Sequence, residues 1–430
     1  MVEPVTPAQS IPLAITGFES NPVMAEPNPT PAQSRAVAAR TGSTRLPALD
    51  VLRGIAILGT LGTNIWIFTN SAGLVGYVAR LDEPSGIWVW TERFLQQLAQ
   101  GKFLGLLTIM FGIGLAIQRG SATRGGRAWP GRYPIRAGLL FLDGLFNFLF
   151  VAEFDVLMGY AVTGLVVAFV LATSERAQRR WLYITAAIHT AMLTVIVVGI
   201  TLAAAQGDSS TPQPPDPNPY TDGSFWELVV FRVEHALAFR LEPIFIFPMS
   251  IALFLLGARL FRAGVFEPEG ARIRKRLMII GFAIAAPLDL AIGMLGGDLI
   301  LLTRYGLAPF VALGILGLVA QVYTRRTAPG FVGRRFAEVG RMALSCYILQ
   351  NLIAGFLCYG WGLGLTQLVS PDSRVPFTLA VYLIVAAVML VFAHAWLRRF
   401  ERGPVEWLWN ATYRALAERG SRTGQPAQVR

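Results

Sequence analysis

The stretch 47–69, PALDVLRGIAILGTLGTNIWIFT, holds two charged side chains, Asp50 and Arg53, in 23 residues that are otherwise apolar or small. A helix needs about 20 such residues to cross a hydrocarbon layer of about 30 Å. Comparable runs recur at about 102–118, 136–152, 156–174, 181–204, 243–261, 277–295, 299–323, 341–362 and 376–397. The composition agrees: of 430 residues 54% are hydrophobic and only 15% charged, with a mean hydropathy of +0.51. A soluble domain carries about 25% charged residues. The chain therefore reads as an all-α integral membrane protein, a bundle of about ten transmembrane helices.

The net charge of +11 does not point to nucleic acid, because no basic domain stands apart from the apolar runs. The four stretches 119–136, 176–180, 259–276 and 325–341 together hold 19 Arg and Lys residues. The intervening loops and their edges hold only Arg80, Arg93, Lys102, Arg232, Arg240 and Arg374. Such asymmetry places the arginine-rich loops and both termini in the cytoplasm of a multi-pass protein of the cell membrane. Residues 1–44, rich in Pro, Ala, Ser and Thr, read as a disordered cytoplasmic tail, 45–412 as the membrane domain, and 413–430 as a cytoplasmic tail. Cys346 and Cys358 lie twelve residues apart in one apolar run, about 18 Å along a helix and beyond disulfide reach.

Two long outer loops carry amphipathic segments. The first spans about 70–101. The second opens as a Pro/Asp loop and continues as FWELVVFRVEHALAFRLEP, 225–243, where Trp226, Val230, Val233 and Leu237 form one stripe. Glu227, Glu234 and His235 lie off that stripe, as on a helix resting at the outer surface.

Ionisable groups inside spans are costly and mark pathways, sites or structural pairs. Asp50 and Arg53 are three apart and pair on one helix face, and Asn64 returns to nearly the same angle. Gly54 and Gly59 leave room for a neighbouring helix. Asp143 and Asn147 share a face of the third run, and Glu153 and Asp155 follow in a tight hairpin, where two carboxylates read by themselves as solvated. Asp289 in the seventh run and Arg304 in the eighth face each other across a Gly-Gly-Asp turn, as a structural bridge. His189 reads as a packed residue, and His394 as a helix-end contact. No metal-ligand spacing, phosphate loop, dinucleotide fingerprint or nucleophile elbow occurs in its proper context.

Five segments resemble the YeiB-like family, also called domain of unknown function 418: LPALDVLRGIAILGTLGTNI (46–65), GKFLGLLTIMFGIGLA (101–116), LLFLDGLFNFLFVAEFDVLMGYAVTG (139–164), VGRMALSCYILQNLIAGFLCYGWGLGL (339–365) and FERGPVEWLW (400–409). Their order and spacing carry the resemblance. The LDVLRG opening also looks like that of the broader transmembrane acyltransferase superfamily, which includes the acyltransferase-3 proteins and the lysosomal heparan glucosaminide acetyltransferase. This implies a ten-or-so-helix bundle that passes an acyl group from cytoplasmic acyl-CoA to an acceptor hydroxyl or amine outside. On that reading Arg53 and the basic loops hold the donor's phosphates. Asp50, Asn64, Asp143, Asp289 and Arg304 line the route, and the chemistry falls near the outer ends of runs 1, 3, 7 and 8. Asn64 and Asn147 stand where relatives of the two groups carry histidines. The base then falls to Asp155, which matches the family aspartate, or to His235 with Glu234 orienting its ring. A carrier or flippase and a noncatalytic scaffold of the same fold are the competing expectations. The partners expected are membrane lipids, acyl-CoA and the acceptor, and the sequence leaves a homo-oligomer open.

The charge asymmetry makes a direct prediction. In a variant lacking Cys346 and Cys358, a single cysteine at Ser210 labels with an impermeant thiol reagent on intact cells, and one at Ala271 does not. Labelling at Ala271 alone reverses the topology.

Overall fold

The computed structural model describes residues 46–81, 83–206, 216–326 and 328–422. The N-terminal tail, Ser210 and the last eight residues lie outside that range. Among the described residues every regular element is helical. Each of the ten apolar runs contains a helix. Six helical segments are long and apolar enough to cross a membrane: Pro47–Phe68, Ile87–Arg124, Glu175–Ala205, Pro268–Leu295, Ile300–Arg325 and Pro371–Leu397. A seventh forms if Phe331–Arg341 and Ala343–Cys358, bent by 87° at Met342, count as one span.

The ten-span expectation exceeds this number because several runs form short helices. Leu157–Leu171 has 15 residues and Phe247–Arg262 has 16, about 22–24 Å at 1.5 Å per residue. The C-terminal helix Pro404–Arg422 runs through residue 412, where the sequence suggests the membrane domain ends.

Backbone contact between helices fixes the centre of the bundle. Gly54 packs against the Phe336 carbonyl, and Gly340 against the Asp50 carbonyl and the Gly54 amide. A side chain at either position would overlap main-chain atoms, so Pro47–Phe68 and Phe331–Arg341 meet in backbone contact. Gly59 instead accommodates the Phe103 ring. Where the chain bends at Met342, the new helix begins with exposed N–H groups. Glu406 meets this need from the C-terminal helix: Oε1 accepts from Leu344 N (2.8 Å) and Ser345 N (3.1 Å), and Oε2 accepts from the Ser345 hydroxyl.

The hairpin between Tyr133–Phe150 and Leu157–Leu171 corrects the sequence reading most clearly. Glu153 and Asp155 are fully buried rather than solvated. The chain folds back on its own helix, bringing the Asp155 carboxylate and Met158 N against Gly144. Two arginines from the segment after the Pro/Asp loop close it. Arg232 donates to the Glu153 carboxylate and to the carbonyls of Leu149 and Val151, each at 3.1 Å. Arg240 stacks over Phe148 at 4.2 Å and donates to the carbonyls of Glu153 and Asp155 (3.2 Å for the latter). The Tyr220 hydroxyl donates to the other Glu153 oxygen at 3.0 Å. The helix Phe225–Glu234, which a Ser224–Glu227 capping box starts, thus turns Leu228, Phe231 and Arg232 inward, leaving Trp226, Val230, Val233 and Leu237 exposed.

Arg232→Ala leaves the buried Glu153 carboxylate without its counter-charge and removes the donor that reaches two carbonyls, a loss of about 3–5 kcal/mol. The purified variant is expected to melt several degrees below the parent, and Glu153→Gln in the same chain to recover part of the loss. A melting point unchanged in Arg232→Ala would show that the arginine does not hold the hairpin.

Candidate functional site

The turns at one end of the bundle enclose a cavity of about 310 Å³. Its wall comes from the end of Pro47–Phe68 at Ile67, the helices Gly73–Ala79 and Ile87–Ala99, the Gly296–Gly297 turn and the start of the helix that carries Arg304. This is where the sequence places the outer ends of runs 1, 7 and 8. Four arginines, Arg80, Arg93, Arg304 and Arg374, face three glutamates, Glu83, Glu92 and Glu242, so the charge is nearly balanced.

Two buried or half-buried ion pairs organise the wall. Arg374 Nη2 donates to both oxygens of Glu92 at 2.6 Å. Arg304 Nη2 and the Tyr305 hydroxyl both donate to Glu242 Oε1, at 2.8 and 2.7 Å. Neighbouring residues point about 100° apart on an ordinary α-helix, yet Arg304 and Tyr305 reach the same oxygen. They do so from a π turn, Thr303–Leu307, a feature common at functional sites. That turn also presents the Tyr305 carbonyl to His189 Nε2 at 3.1 Å, so His189 is a packed, hydrogen-bonded residue.

The expected Asp289–Arg304 bridge does not form. Asp289 is buried against Lys102 Nζ, and Arg304 takes Glu242 instead. The reason lies at Gly101. The chain breaks there with φ 71° between Ile87–Ala99 and Lys102–Arg124, and Gly101 packs on the Arg304 backbone. Lys102 is thereby drawn inward, where a lysine needs a carboxylate partner.

The other singled-out residues fall elsewhere. Asn147 and Asp155 meet: Asn147 Nδ2 donates to Asp155 Oδ1 at 2.8 Å, and Met158 N to Oδ2 at 3.1 Å. Asn147 Oδ1 is buried without a partner among the described residues. Asp155 lies outside the cavity wall, behind Arg240, which is two residues from Glu242. The Asp155 carboxyl, in the connection between helices, is pushed up to about 7, chiefly by burial. Asp143 is half-buried with one oxygen unpartnered. Asp50 and Arg53 pair at 3.3 Å as their spacing implies, and Asn64 lies half-buried on the same helix. His235 is exposed where its helix ends, its Nδ1 bonded to the Phe231 carbonyl at 3.0 Å. His394 meets Glu338 at 3.2 Å.

Sequence reasoning missed Glu92, Gln97, Glu242, Tyr305 and Arg374 in the cavity wall, and the buried amides Gln350 and Asn351. Glu92 and Glu242 look like ordinary loop residues, because their partners lie 282 and 62 positions away.

Residues 260–415 match the family described as protein of unknown function (DUF418). The chain is 29% identical over 391 residues to the uncharacterized protein YxaH of Bacillus subtilis (strain 168), covering 86% of this chain and 94% of YxaH. The DUF418 match covers the C-terminal part of the chain, and the likeness to YeiB-like proteins extends over most of it. YeiB itself, the uncharacterized protein of Escherichia coli (strain K12), is 29% identical over 404 residues, covering 88% of this chain and 98% of YeiB. The matched DUF418 region contains Asp289, Arg304, Ser345, Arg374 and Glu406. The Asn147–Asp155 hairpin and Glu242 lie before it.

The altered pairing is open to a double-mutant cycle on thermal stability. Lys102→Met and Asp289→Leu should be strongly non-additive, with a coupling of about 1–3 kcal/mol, whereas Arg304→Met and Asp289→Leu should add within about 0.5 kcal/mol. Coupling of Asp289 to Arg304 would restore the sequence-based bridge.

Proposed function

We propose that this YeiB-like membrane protein transfers an acyl group from cytoplasmic acyl-CoA to a hydroxyl or amine acceptor on the far side of the membrane. The observation that supports this most is the buried Asp155 carboxyl, at the position of the family aspartate and poised near neutral pH. Beside it lies the Asn147 amide, whose oxygen has no partner among the described residues. An ordinary carboxylate, titrating near pH 4, is a poor base at pH 7, and raising its pKa makes it a better one.

In this reading the acceptor enters from the cavity side, passes Arg240 and gives its proton to Asp155, which lies beyond the cavity wall. Its oxygen or nitrogen then attacks the thioester carbonyl carbon. The C–S bond breaks, and the thiolate leaving group takes up a proton. Asn64 offers an amide N–H to the tetrahedral oxyanion. Arg53, with its side chain 39% exposed, offers charge to the donor's phosphates. His235, on the exposed face of its helix, is the lesser base candidate.

A carrier is the second reading. It is favoured by Gln350 and Asn351, which are fully buried and whose side-chain polar atoms all lack partners among the described residues. Such amides suit a passage that a polar solute fills.

Purified protein in lipid vesicles, given radiolabelled acetyl-CoA and a membrane extract, is expected to label an acceptor. Asp155→Asn should reduce this at least a hundredfold while keeping yield. The rate should rise as pH climbs through about 7, where Asp155 loses its proton. Stability should move the other way. A carboxyl whose folded pKa is raised contributes stability that is fully present below about pH 4 and is lost as pH rises through about 7. Uptake of an intact solute without label transfer would favour the carrier, and full transfer by Asp155→Asn would remove Asp155 as the base.

A further inference from the structure

The cavity wall holds more hydrogen-bond donors than the protein uses. Among the described residues, the Arg304 and Arg374 guanidinium groups each donate to the protein through Nη2 alone. Nε of Arg304, Nε of Arg374 and Nε2 of Gln97 are buried without a partner among the described residues. All three residues line the same cavity, and Gln97 is only 3% exposed. A buried N–H left unpaired costs about 1–3 kcal/mol, so such groups are normally found paired. The carboxylates that neutralise the two arginines are already engaged. An occupant that draws these side chains toward the cavity would supply the missing acceptors, and the Nη1 groups of both arginines, which no protein acceptor takes among the described residues, would meet it first.

A guanidinium with spare N–H groups suits a carboxylate or phosphate, whose oxygens accept two parallel bonds. We propose that this cavity binds the oxyanion group of a small ligand, held between Arg304 and Arg374 with Gln97 as a neutral third donor. The arginines and glutamates of the wall nearly balance, so a singly charged oxyanion suits it better than a more highly charged one. At about 310 Å³ the space lies at the small end of ligand sites, which fits a head group better than a whole lipid or a coenzyme. The other face of helix Ile87–Ala99, through Leu95, Leu98 and Ala99, borders an apolar groove of about 350 Å³ with Phe103 and Tyr382. A free anion and a lipid head group are thus the two sources of one chemistry. The inference deepens the acyl-transfer reading by giving the acceptor an anionic oxygen group.

The test is binding, with no acyl donor present. Delipidated protein in a neutral detergent is titrated with inorganic phosphate, acetate, or mixed micelles containing phosphatidylglycerol, and its melting temperature is followed. At least one probe should raise it by several degrees in a saturable manner. Stabilisation by phosphate or acetate identifies a free anion as sufficient. Stabilisation by phosphatidylglycerol, but not by phosphatidylcholine, identifies the head group of an anionic lipid. Gln97→Leu removes one donor without touching an ion pair and should weaken binding about tenfold. Glu92→Gln with Arg374→Gln removes one arginine without stranding its carboxylate, and should weaken binding a hundredfold or more. Parent protein that responds to no probe, or variants that bind like the parent, would overturn the proposal. Because no transfer is measured, its failure leaves acyl transfer standing. Absent transfer with intact binding removes acyl transfer alone.

Discussion

A backbone carbonyl or amide inside an apolar bundle has no water to pair with, so each departure from helix requires a partner from elsewhere in the chain. The hairpin at Val151–Val156 shows how far this constraint reaches. Helix Tyr133–Phe150 ends there, two carboxylates follow, and the chain turns inward. Arg232 and Arg240 supply donors to the carbonyls of Leu149, Val151, Glu153 and Asp155 and to the Glu153 carboxylate. With these bonds made, helix Leu157–Leu171 starts inside the protein, and Asp155 is set against Asn147. The same segment goes on to place Glu242 in the cavity wall. One set of guanidinium–carbonyl bonds thus underlies both the hairpin and the cavity beside it.

The same rule accounts for the bent helix pair near the C-terminus. Its 87° bend exposes N–H groups of Leu344 and Ser345, which the Glu406 carboxylate pairs. The quoted segments 339–365 and 400–409 meet at that contact, so two stretches far apart in sequence form one structural unit.

Features with local causes were legible in the sequence. Apolar run length gave the helical class, spacing gave the Asp50–Arg53 pair and the shared face of Asp143 and Asn147, and the small residue at Gly54 marked a close helix approach. Periodicity gave the stripe Trp226–Leu237 but not the buried role of Arg232 on the opposite face. What escaped was long-range. Glu153 and Asp155 looked solvated because a turn between two spans usually is, and nothing local reveals arginines about 80 positions later. Asp289 and Arg304 looked paired because a short turn joins their helices. The positive φ at Gly101 brought Lys102 to Asp289, and the π turn carried Arg304 to Glu242. The cavity was invisible for the same reason, since its two ion pairs join residues from four separate elements.

The distance between the hairpin and its arginines also bears on how the protein is made. Arg240 follows Glu153 by 87 residues, about 4–17 s of synthesis at roughly 5–20 residues per second. Throughout that interval Glu153 and Asp155 have been translated without the side chains that bury them. Helix Glu175–Ala205, with only 11% of its apolar window buried in the finished protein, can enter the lipid meanwhile, because it needs little from its neighbours. The hairpin helices cannot finish early. Their turn can close only once the segment 225–245 has itself been made and has reached it. Assembly of this bundle is therefore gated by the arrival of a loop rather than by the order of its spans.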